Sequence, residues 1–289
     1  MFLPDLKSNV SGEPYILVCK DRLPETTNEK IMKSRISSTV AAIGAFVTMG
    51  IGLQQGQGGE PIEFRSSETR ASLVELFTSE GCSSCPPAER WISGLKMNPK
   101  LWKDYVVVAF HVDYWDGLGW KDAFARREFT DRQQTYASQW KTESVYTPGF
   151  VVNGKEWRGW FDRESLPEPP AAKAGVLVAK SDKPGVWELS YDAGRGGAGQ
   201  RLTFSGALLG FGLNSKVKAG ENSGRILEHD FVVLKLMTAP AQGEDQLFRA
   251  QITLPMNSSS ASNQVGVAFW IGSNSNLQPL QAVGGWLDP

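Results

Sequence analysis

The sequence predicts a mixed α/β (α+β) chain that continues into a β-rich C-terminal region. Two buried strands alternate with two helical segments in the first half, and a hairpin follows them. Beyond the proline-rich stretch at 167–170, strand-like segments are separated by turns rich in glycine or serine. The 289 residues, 41% hydrophobic and 21% charged, therefore favour a globular chain of one or two domains.

The first three elements are set by apolar runs and prolines. The run ASLVELFT at 71–78 is apolar and short, which predicts a buried strand. A helix is predicted at 83–97 because Pro86 and Pro87 fall in its first turn, where missing N–H groups cost little. The run YVVVAFHV at 105–112 predicts the second buried strand.

The next segments predict a helix, a hairpin and a series of strands. Segment 122–141 is rich in charge and glutamine, with aromatic side chains at intervals that suit one amphipathic helix. Asn153 and Gly154 lie between two strand-like runs, which is a strong hairpin signal. The later strands are predicted at 186–191, 200–209, 231–236, 248–254 and 265–271.

Residues 1–59 are predicted to lie outside the folded domains, which would span 71–170 and 171–289. Residues 37–53 carry no charge, follow Lys33 and Arg35, and precede a polar glycine-rich stretch, which is the layout of an export signal. The apolar run is shorter than the ~20 residues of a spanning helix, so a cleaved signal at about residues 32–58 is favoured over an uncleaved anchor. Met32 is then the predicted start, and the mature protein is expected in the periplasm or secreted, with membrane contact only through an uncleaved anchor.

The charge composition argues against nucleic acid as a partner. The chain has 30 Lys and Arg residues against 31 Asp and Glu residues, and no basic run. Affinity for nucleic acid depends on such a basic surface. We therefore expect no nucleic-acid partner.

The chemistry is predicted to lie at Cys82 and Cys85. Three cysteines occur in all, and removal of an export signal would also remove Cys19 and leave this pair. A Cys-x-x-Cys pair between a strand and a helix suits dithiol–disulfide exchange, because a helix N-terminus stabilises a thiolate on the first cysteine. Cys82 is the predicted nucleophile and Cys85 the resolving thiol, although the nearby Glu80 would disfavour the thiolate and Pro86 could delay the start of the helix.

Two other interpretations of the pair stay open, a structural disulfide and half of a metal site. The chain has two histidines, His111 and His229, and no second cysteine pair, so a closed tetrahedral zinc site is disfavoured. Copper bound by the two cysteines with His111 remains an alternative. No organic cofactor is needed for exchange, because the cysteine pair itself carries two electrons.

Thr147 and Pro148 are a second feature, after the Cys-x-x-Cys pair, that is typical of a thioredoxin-like site. They begin a strand about 60 residues after the cysteines, where a cis-proline would pack beside the disulfide. The backbone of Thr147 and Gly149 would then be free to pair with an extended substrate. An ordinary trans proline at a strand start is the alternative.

Further candidates flank the cysteine pair. Glu75 lies in the first buried strand and could accept the proton of Cys85, or else face solvent at a strand edge. His111 and Asp113 alternate at the end of the second strand and could form a hydrogen-bonded pair near Cys82, or a purely structural contact. Trp115 and Trp120 lie in the loop that follows; they could hold a peptide substrate or fill the core.

Several long runs, in one order, resemble the bacterial domain-of-unknown-function family 1223 (DUF1223). The resemblance covers about residues 71–289 and rests on the runs ELFTSEGCSSCPPAE, FHVDYWDGLGWKDAF, RQQTYA, VYTPGFVVNG, GENSGRILEHDFVV and QAVGGW. It implies an exported protein with a thioredoxin-like fold and a redox-active cysteine pair, without a proven activity. Where Thr-Pro-Gln is expected this chain has Gly149, which changes the substrate contacts expected just after Pro148.

The sequence therefore predicts an exported thioredoxin-like protein that exchanges disulfides with protein or small-molecule thiols. The alternative from another class is a copper-binding or partner-binding module without catalytic turnover. A third alternative is a structural module in which the cysteine pair is inert.

Overall fold

A computed structural model of the chain describes residues 61–194, 201–243, 246–255, 262, 264–274 and 276–287. These residues belong to one compact unit, Gly58–Pro289. The predicted export signal and the predicted start at Met32 lie outside the described residues. Over the ranges just given, no helix is both long and apolar enough to cross a membrane.

Within the described ranges, the chain forms two helices, two 3-10 turns and fourteen strands. The helices are α1, Cys85–Ser93, and α2, Arg127–Trp140, and the 3-10 turns are Gly94–Met97 and Asp116–Leu118. The strands are β1 Ile62–Arg65, β2 Ser72–Thr78, β3 Tyr105–His111, β4 Gly149–Val152, β5 Lys155–Glu156, β6 Val176–Lys183, β7 Val186–Asp192, β8 Leu202–Phe211, β9 Leu213–Lys216, β10 Ile226–His229, β11 Val232–Pro240, β12 Leu247–Thr253, β13 Gln264–Ser273 and β14 Pro279–Leu287.

A mixed eight-stranded sheet is the centre of the fold, in the order β14-β13-β8-β11-β3-β2-β4-β5. Strand β3 is parallel to both β2 and β11, and the remaining neighbours are antiparallel. Strands from before and after residue 170 therefore share one sheet. The mixed α/β class predicted from the sequence is confirmed, with strands far outnumbering helices.

A second, antiparallel sheet, β1-β6-β7-β12, covers the C-terminal part of the large one. Buried aromatic and aliphatic side chains join the two layers, and the ring centroids of Trp187 and Phe269 lie 4.8 Å apart. A separate buried cluster surrounds β2, β3 and β4 and includes Phe77, Phe110 and Phe150.

The helices pack on opposite faces of the large sheet, and this decides which side chains of β2 reach which helix. Side chains alternate along a strand. Thr78 donates a hydrogen bond to Glu89 of α1, at 2.5 Å, whereas the ring of Phe77 contacts Tyr136 of α2 at a centroid distance of 6.3 Å. Glu75 therefore faces α2, together with Phe77.

The predicted elements of the first half are all present, with shifted helix ends. Helix α1 begins at Cys85 with Pro86 and Pro87 at its first positions, and the predicted 83–97 helix ends in a 3-10 turn. The predicted 122–141 helix begins only at Arg127, because the Asp122 side chain accepts the N–H of Phe124 and holds this stretch in a turn. The Asn-Gly hairpin is confirmed as β4 and β5.

Candidate active site

Cys82 and Cys85 lie between β2 and α1, and both are buried free thiols. Ser84 is the N-cap of α1 and Cys85 is its first residue, so Cys82 lies in the preceding loop. Two backbone hydrogen bonds shape that loop, from Cys82 N–H to the Ser79 carbonyl and from Cys85 N–H to the Cys82 carbonyl, both at 3.2 Å. The expectation that Pro86 and Pro87 could delay the helix, so that Cys82 lies in the loop before it, is confirmed.

The C-terminal region fixes this cysteine loop from outside. The Asn222 side-chain amide donates to the carbonyl oxygens of Glu80, at 2.8 Å, and Cys82, at 2.9 Å. The Glu221 carboxylate accepts the N–H of Ser83 at 2.9 Å. Sequence reasoning gave Glu221 and Asn222 no role at the cysteines, and their one signal was the family-like run that contains them. The loop conformation therefore depends on residues about 140 positions away.

The pKa values of the two thiols are shifted in opposite directions. A hydrogen bond from the Cys85 thiol is the largest cause that lowers the pKa of Cys82, which falls to about 7 although burial opposes the shift. Contacts with Ser84, whose hydroxyl lies 3.2 Å from the sulfur, and with Thr147 also lower this pKa. Burial raises the pKa of Cys85 well above its ordinary value, and the neighbouring Cys82 adds to the shift. The pair therefore combines an acidic thiol with one that stays protonated at neutral pH.

Glu80 does not act on Cys82 in the way the sequence suggested. The Trp120 indole N–H donates to its carboxylate at 2.6 Å, and His229 Nε2 lies 3.3 Å from its second oxygen. Its carboxylate therefore contacts groups other than the Cys82 thiol. Trp120, predicted as a substrate contact, is half-buried and holds this carboxylate.

The Thr147–Pro148 peptide bond is cis, as predicted. The Thr147 carbonyl oxygen lies 3.7 Å from the sulfur of Cys82 and 3.4 Å from the hydroxyl of Ser84. Trp115 is half-buried, and its indole N–H donates to the Thr147 hydroxyl at 2.8 Å. Thr147, Pro148 and Trp115 are therefore brought to the cysteine pair.

Gly149 is buried, so its side-chain position does not form a surface for substrate. A methyl group there would lie 2.9 Å from the Tyr146 carbonyl oxygen and 3.2 Å from the side-chain nitrogen of Gln133. The glycine instead allows β4 to pass close to the segment before it.

The structure does not bring Glu75 to the cysteines. Its carboxylate accepts hydrogen bonds from Arg132 Nε at 3.0 Å and from the Tyr136 hydroxyl at 2.5 Å, both on α2. Cys85 begins α1, on the other face of the sheet, so Glu75 is badly placed to accept its proton. Thr78, three residues along β2, is the side chain of this strand that contacts Cys85.

The predicted pairing of His111 with Asp113 is also wrong. His111 Nδ1 lies 2.7 Å from a carboxylate oxygen of Asp122, whereas Asp113 accepts a hydrogen bond from the Thr130 hydroxyl at 2.5 Å. Strand β3 ends at His111, so the alternation that would place both side chains on one face does not continue. Partnership with His111 holds the pKa of the buried Asp122 at about 2 despite the opposing effect of burial.

The acidity of Cys82 leads to a first prediction. Alkylation by iodoacetamide requires the thiolate, so its rate at Cys82 should rise with pH through a midpoint of about 7, against about 8.5 for an ordinary cysteine. Peptide mapping by mass spectrometry separates Cys82 from Cys85 and Cys19. Ser84→Ala should move the midpoint upward, because it removes one stabilising contact. A wild-type midpoint at 8.5 or above would contradict the assignment of Cys82 as the nucleophile.

Comparison with known proteins gives a family and two structural likenesses. A family model described as "Protein of unknown function (DUF1223)" matches residues 73–271. Protein AGR_C_4864 from Agrobacterium tumefaciens is 24% identical and aligns over 77% of this chain and 96% of its own, with a TM-score of 0.48. HBP35 of Porphyromonas gingivalis is 12% identical over 77% of each chain, with a TM-score of 0.50, a likeness of fold alone. No curated protein matches the sequence.

Proposed function

Because the chain belongs to the DUF1223 family, whose function is unknown, we propose from its own site that it is an exported thiol–disulfide oxidoreductase. The observation that carries this proposal is the unlike surroundings of two adjacent free thiols. Cys82 is stabilised as a thiolate by Cys85, Ser84 and Thr147, whereas the buried Cys85 is kept protonated. A structural pair of cysteines does not require two different pKa values. Disulfide exchange does, because one cysteine must attack as a thiolate while the other waits as a thiol.

We also propose that residues 71–170 adopt a thioredoxin-like fold. The order β2, α1, β3, α2, β4, β5 supports this, with β2 parallel to β3 and antiparallel to β4. The cysteines at the start of α1 and the Thr147 carbonyl before β4 meet at one end of these strands. An extended substrate could pair with the backbone at that point.

Exchange would proceed in two balanced steps. The Cys82 thiolate attacks one sulfur of a substrate disulfide, a mixed disulfide forms, and the second substrate sulfur leaves as a thiolate that takes a proton from water. Cys85 then loses its proton and attacks the sulfur of Cys82, which releases the first substrate sulfur as a thiol. The enzyme ends with a Cys82–Cys85 disulfide, the substrate is reduced to two thiols, and an external dithiol restores the enzyme.

A substrate must reach a buried sulfur for this reaction to occur. Cys82 is 0% exposed, whereas Ser83 and Ser84 are exposed. The Ser84 hydroxyl and the Thr147 carbonyl lie against its sulfur. A substrate would therefore approach from the side of these two serines and displace the Ser84 contact.

Insulin reduction tests the proposal. With dithiothreitol as the electron donor, the wild-type protein should accelerate precipitation of the insulin B chain, and Cys82→Ser should reduce the rate to that of dithiothreitol alone. Cys19→Ser in the full-length chain, which keeps the predicted export signal, is the matched control and should keep the wild-type rate. Equal rates for wild type and Cys82→Ser would refute catalysis by this pair.

A redox titration separates catalysis from a structural disulfide. Catalytic pairs have reduction potentials above about −300 mV, and structural disulfides lie below that value. We expect the Cys82–Cys85 pair to titrate above it. A pair that resists reduction below about −300 mV would support the inert module instead.

A further inference from the structure

A second cluster of reactive side chains lies beside the cysteine site and has no part in the exchange reaction. It consists of Glu89 of α1, His111 at the end of β3 and His229 at the end of β10. All three side chains are buried, and one potential ligand atom from each lies within 4.8 Å of the others. The two imidazole rings have centroids 5.1 Å apart. The chain has only these two histidines, and the fold brings them together.

Each imidazole is oriented by a carboxylate on one nitrogen. Asp122 lies 2.7 Å from Nδ1 of His111, which leaves Nε2 of that ring buried with no hydrogen-bond partner among the residues that the structure describes. Glu80 lies 3.3 Å from Nε2 of His229, whose Nδ1 faces Glu89 at 2.5 Å. Metal-binding histidines commonly donate their second N–H to a carboxylate, the arrangement that His111 has with Asp122, and this fixes the ring and the tautomer.

Acidic side chains outnumber the imidazoles in this buried cluster. Three buried carboxylates, Glu80, Glu89 and Asp122, lie against the two imidazoles. The other polar contacts of Glu80 and Glu89 are the neutral Trp120 indole and the Thr78 hydroxyl. Uncompensated buried charge is costly.

The ammonium group of Lys96 lies near the cluster but is paired with a carboxylate outside it. Lys96 binds Asp230, next to His229, at 2.7 Å. The ring of Phe124 packs against both imidazoles, with its centroid 5.4 Å from that of His111 and 5.6 Å from that of His229. A divalent cation in this cluster would give the buried Nε2 of His111 the partner that it lacks among the described residues.

We propose that Glu89, His111 and His229 form a binding site for a divalent transition metal of the zinc type. His111 Nε2, His229 Nδ1 and one Glu89 oxygen are the ligand atoms, and Asp122 and Glu80 hold the two rings. Two imidazoles and one carboxylate form a recognised donor set for Zn²⁺, which leaves a fourth position for water. Neither cysteine is a ligand, so the proposal stands apart from the proposed exchange reaction.

Zinc binding to the full chain, prepared without a histidine tag, tests this assignment. After incubation with zinc sulfate and dialysis, elemental analysis should find about one zinc per chain. Cys82→Ser/Cys85→Ser should retain the metal, whereas His111→Gln should lose it. Retention by His111→Gln with loss in the double cysteine variant would overturn the site in favour of a thiolate-bound metal.

Imidazole NMR provides a test that does not depend on a variant folding. Because the chain has two histidines, a long-range ¹H–¹⁵N spectrum contains the nitrogens of two rings only. Zinc should shift the Nε2 signal of one ring and the Nδ1 signal of the other, assigned to His111 and His229. A zinc titration that leaves all four signals unchanged would refute the proposal.

Discussion

Replacement of Cys85 by alanine should convert the protein from a catalyst into a trap that holds substrates on Cys82. The mixed disulfide forms by attack of Cys82 alone, but its release requires the second thiol. We therefore expect Cys85→Ala to accumulate covalent adducts, whereas the wild-type protein resolves them. Turnover in the insulin assay should fall to the uncatalysed rate.

The same replacement should also change the acidity of the nucleophile. The Cys85 hydrogen bond is the largest cause that lowers the pKa of Cys82 to about 7, so its loss should raise that pKa. A smaller fraction of Cys82 is then thiolate at pH 7, and capture should become faster as the pH rises toward about 8.5. Trapping is best measured across this range.

Non-reducing electrophoresis and mass spectrometry measure the trap. Cys85→Ala incubated with oxidised substrate should show adducts that dithiothreitol removes and that map to Cys82. The double variant Cys82→Ser/Cys85→Ala is the matched control and should show none. Absence of adducts from the single variant at every pH, or equal adducts in the double variant, would count against the exchange mechanism.

Local patterns predicted the parts of the fold that local chemistry determines. Apolar runs located β2 and β3, and Asn153 with Gly154 located the hairpin, because strand burial and turn geometry depend on neighbouring residues. The Thr147–Pro148 bond and the cysteine pair were likewise predicted from short motifs. Strands β1, β6, β9, β10 and β14 were missed. Strand β14 contains Gly284 and Gly285, which suggest a turn in isolation but leave room in the sheet for the rings of Trp102 and Phe64.

The partners of the site residues could not be read from spacing. Glu75 was assigned to Cys85 by proximity along the chain, yet side-chain alternation in β2 turns it toward α2. His111 pairs with Asp122 rather than Asp113 because β3 ends at the histidine. Contacts of His229 and Asn222 with the cysteine loop region span 140 residues or more, and the pairing of β11 with β3 helps to bring these distant segments together.

Arg132 carries the largest expected effect on stability, because it neutralises the buried carboxylate of Glu75. Glu75 is 1% exposed and the Arg132 side chain 9% exposed, and the Tyr136 hydroxyl completes the hydrogen bonding of the carboxylate. The guanidinium also lies 5.4 Å from the ring centroids of Phe110 and Tyr136. Removal of one partner from a buried pair leaves an uncompensated charge, so Arg132→Met should lower the free energy of unfolding by about 3–5 kcal/mol.

Urea denaturation of three variants tests this expectation. Arg127→Met is the matched control on the same helix, since Arg127 forms an exposed pair with Asp131 and should cost only about 0.3–0.5 kcal/mol. Arg132→Met combined with Glu75→Gln should recover much of the lost stability, because no buried charge then remains. If the single Arg132 variant lost no more stability than Arg127→Met, the buried pair would not stabilise the fold. If the double variant recovered no stability relative to Arg132→Met, the loss would come from packing of the guanidinium against its rings rather than from the unpaired carboxylate.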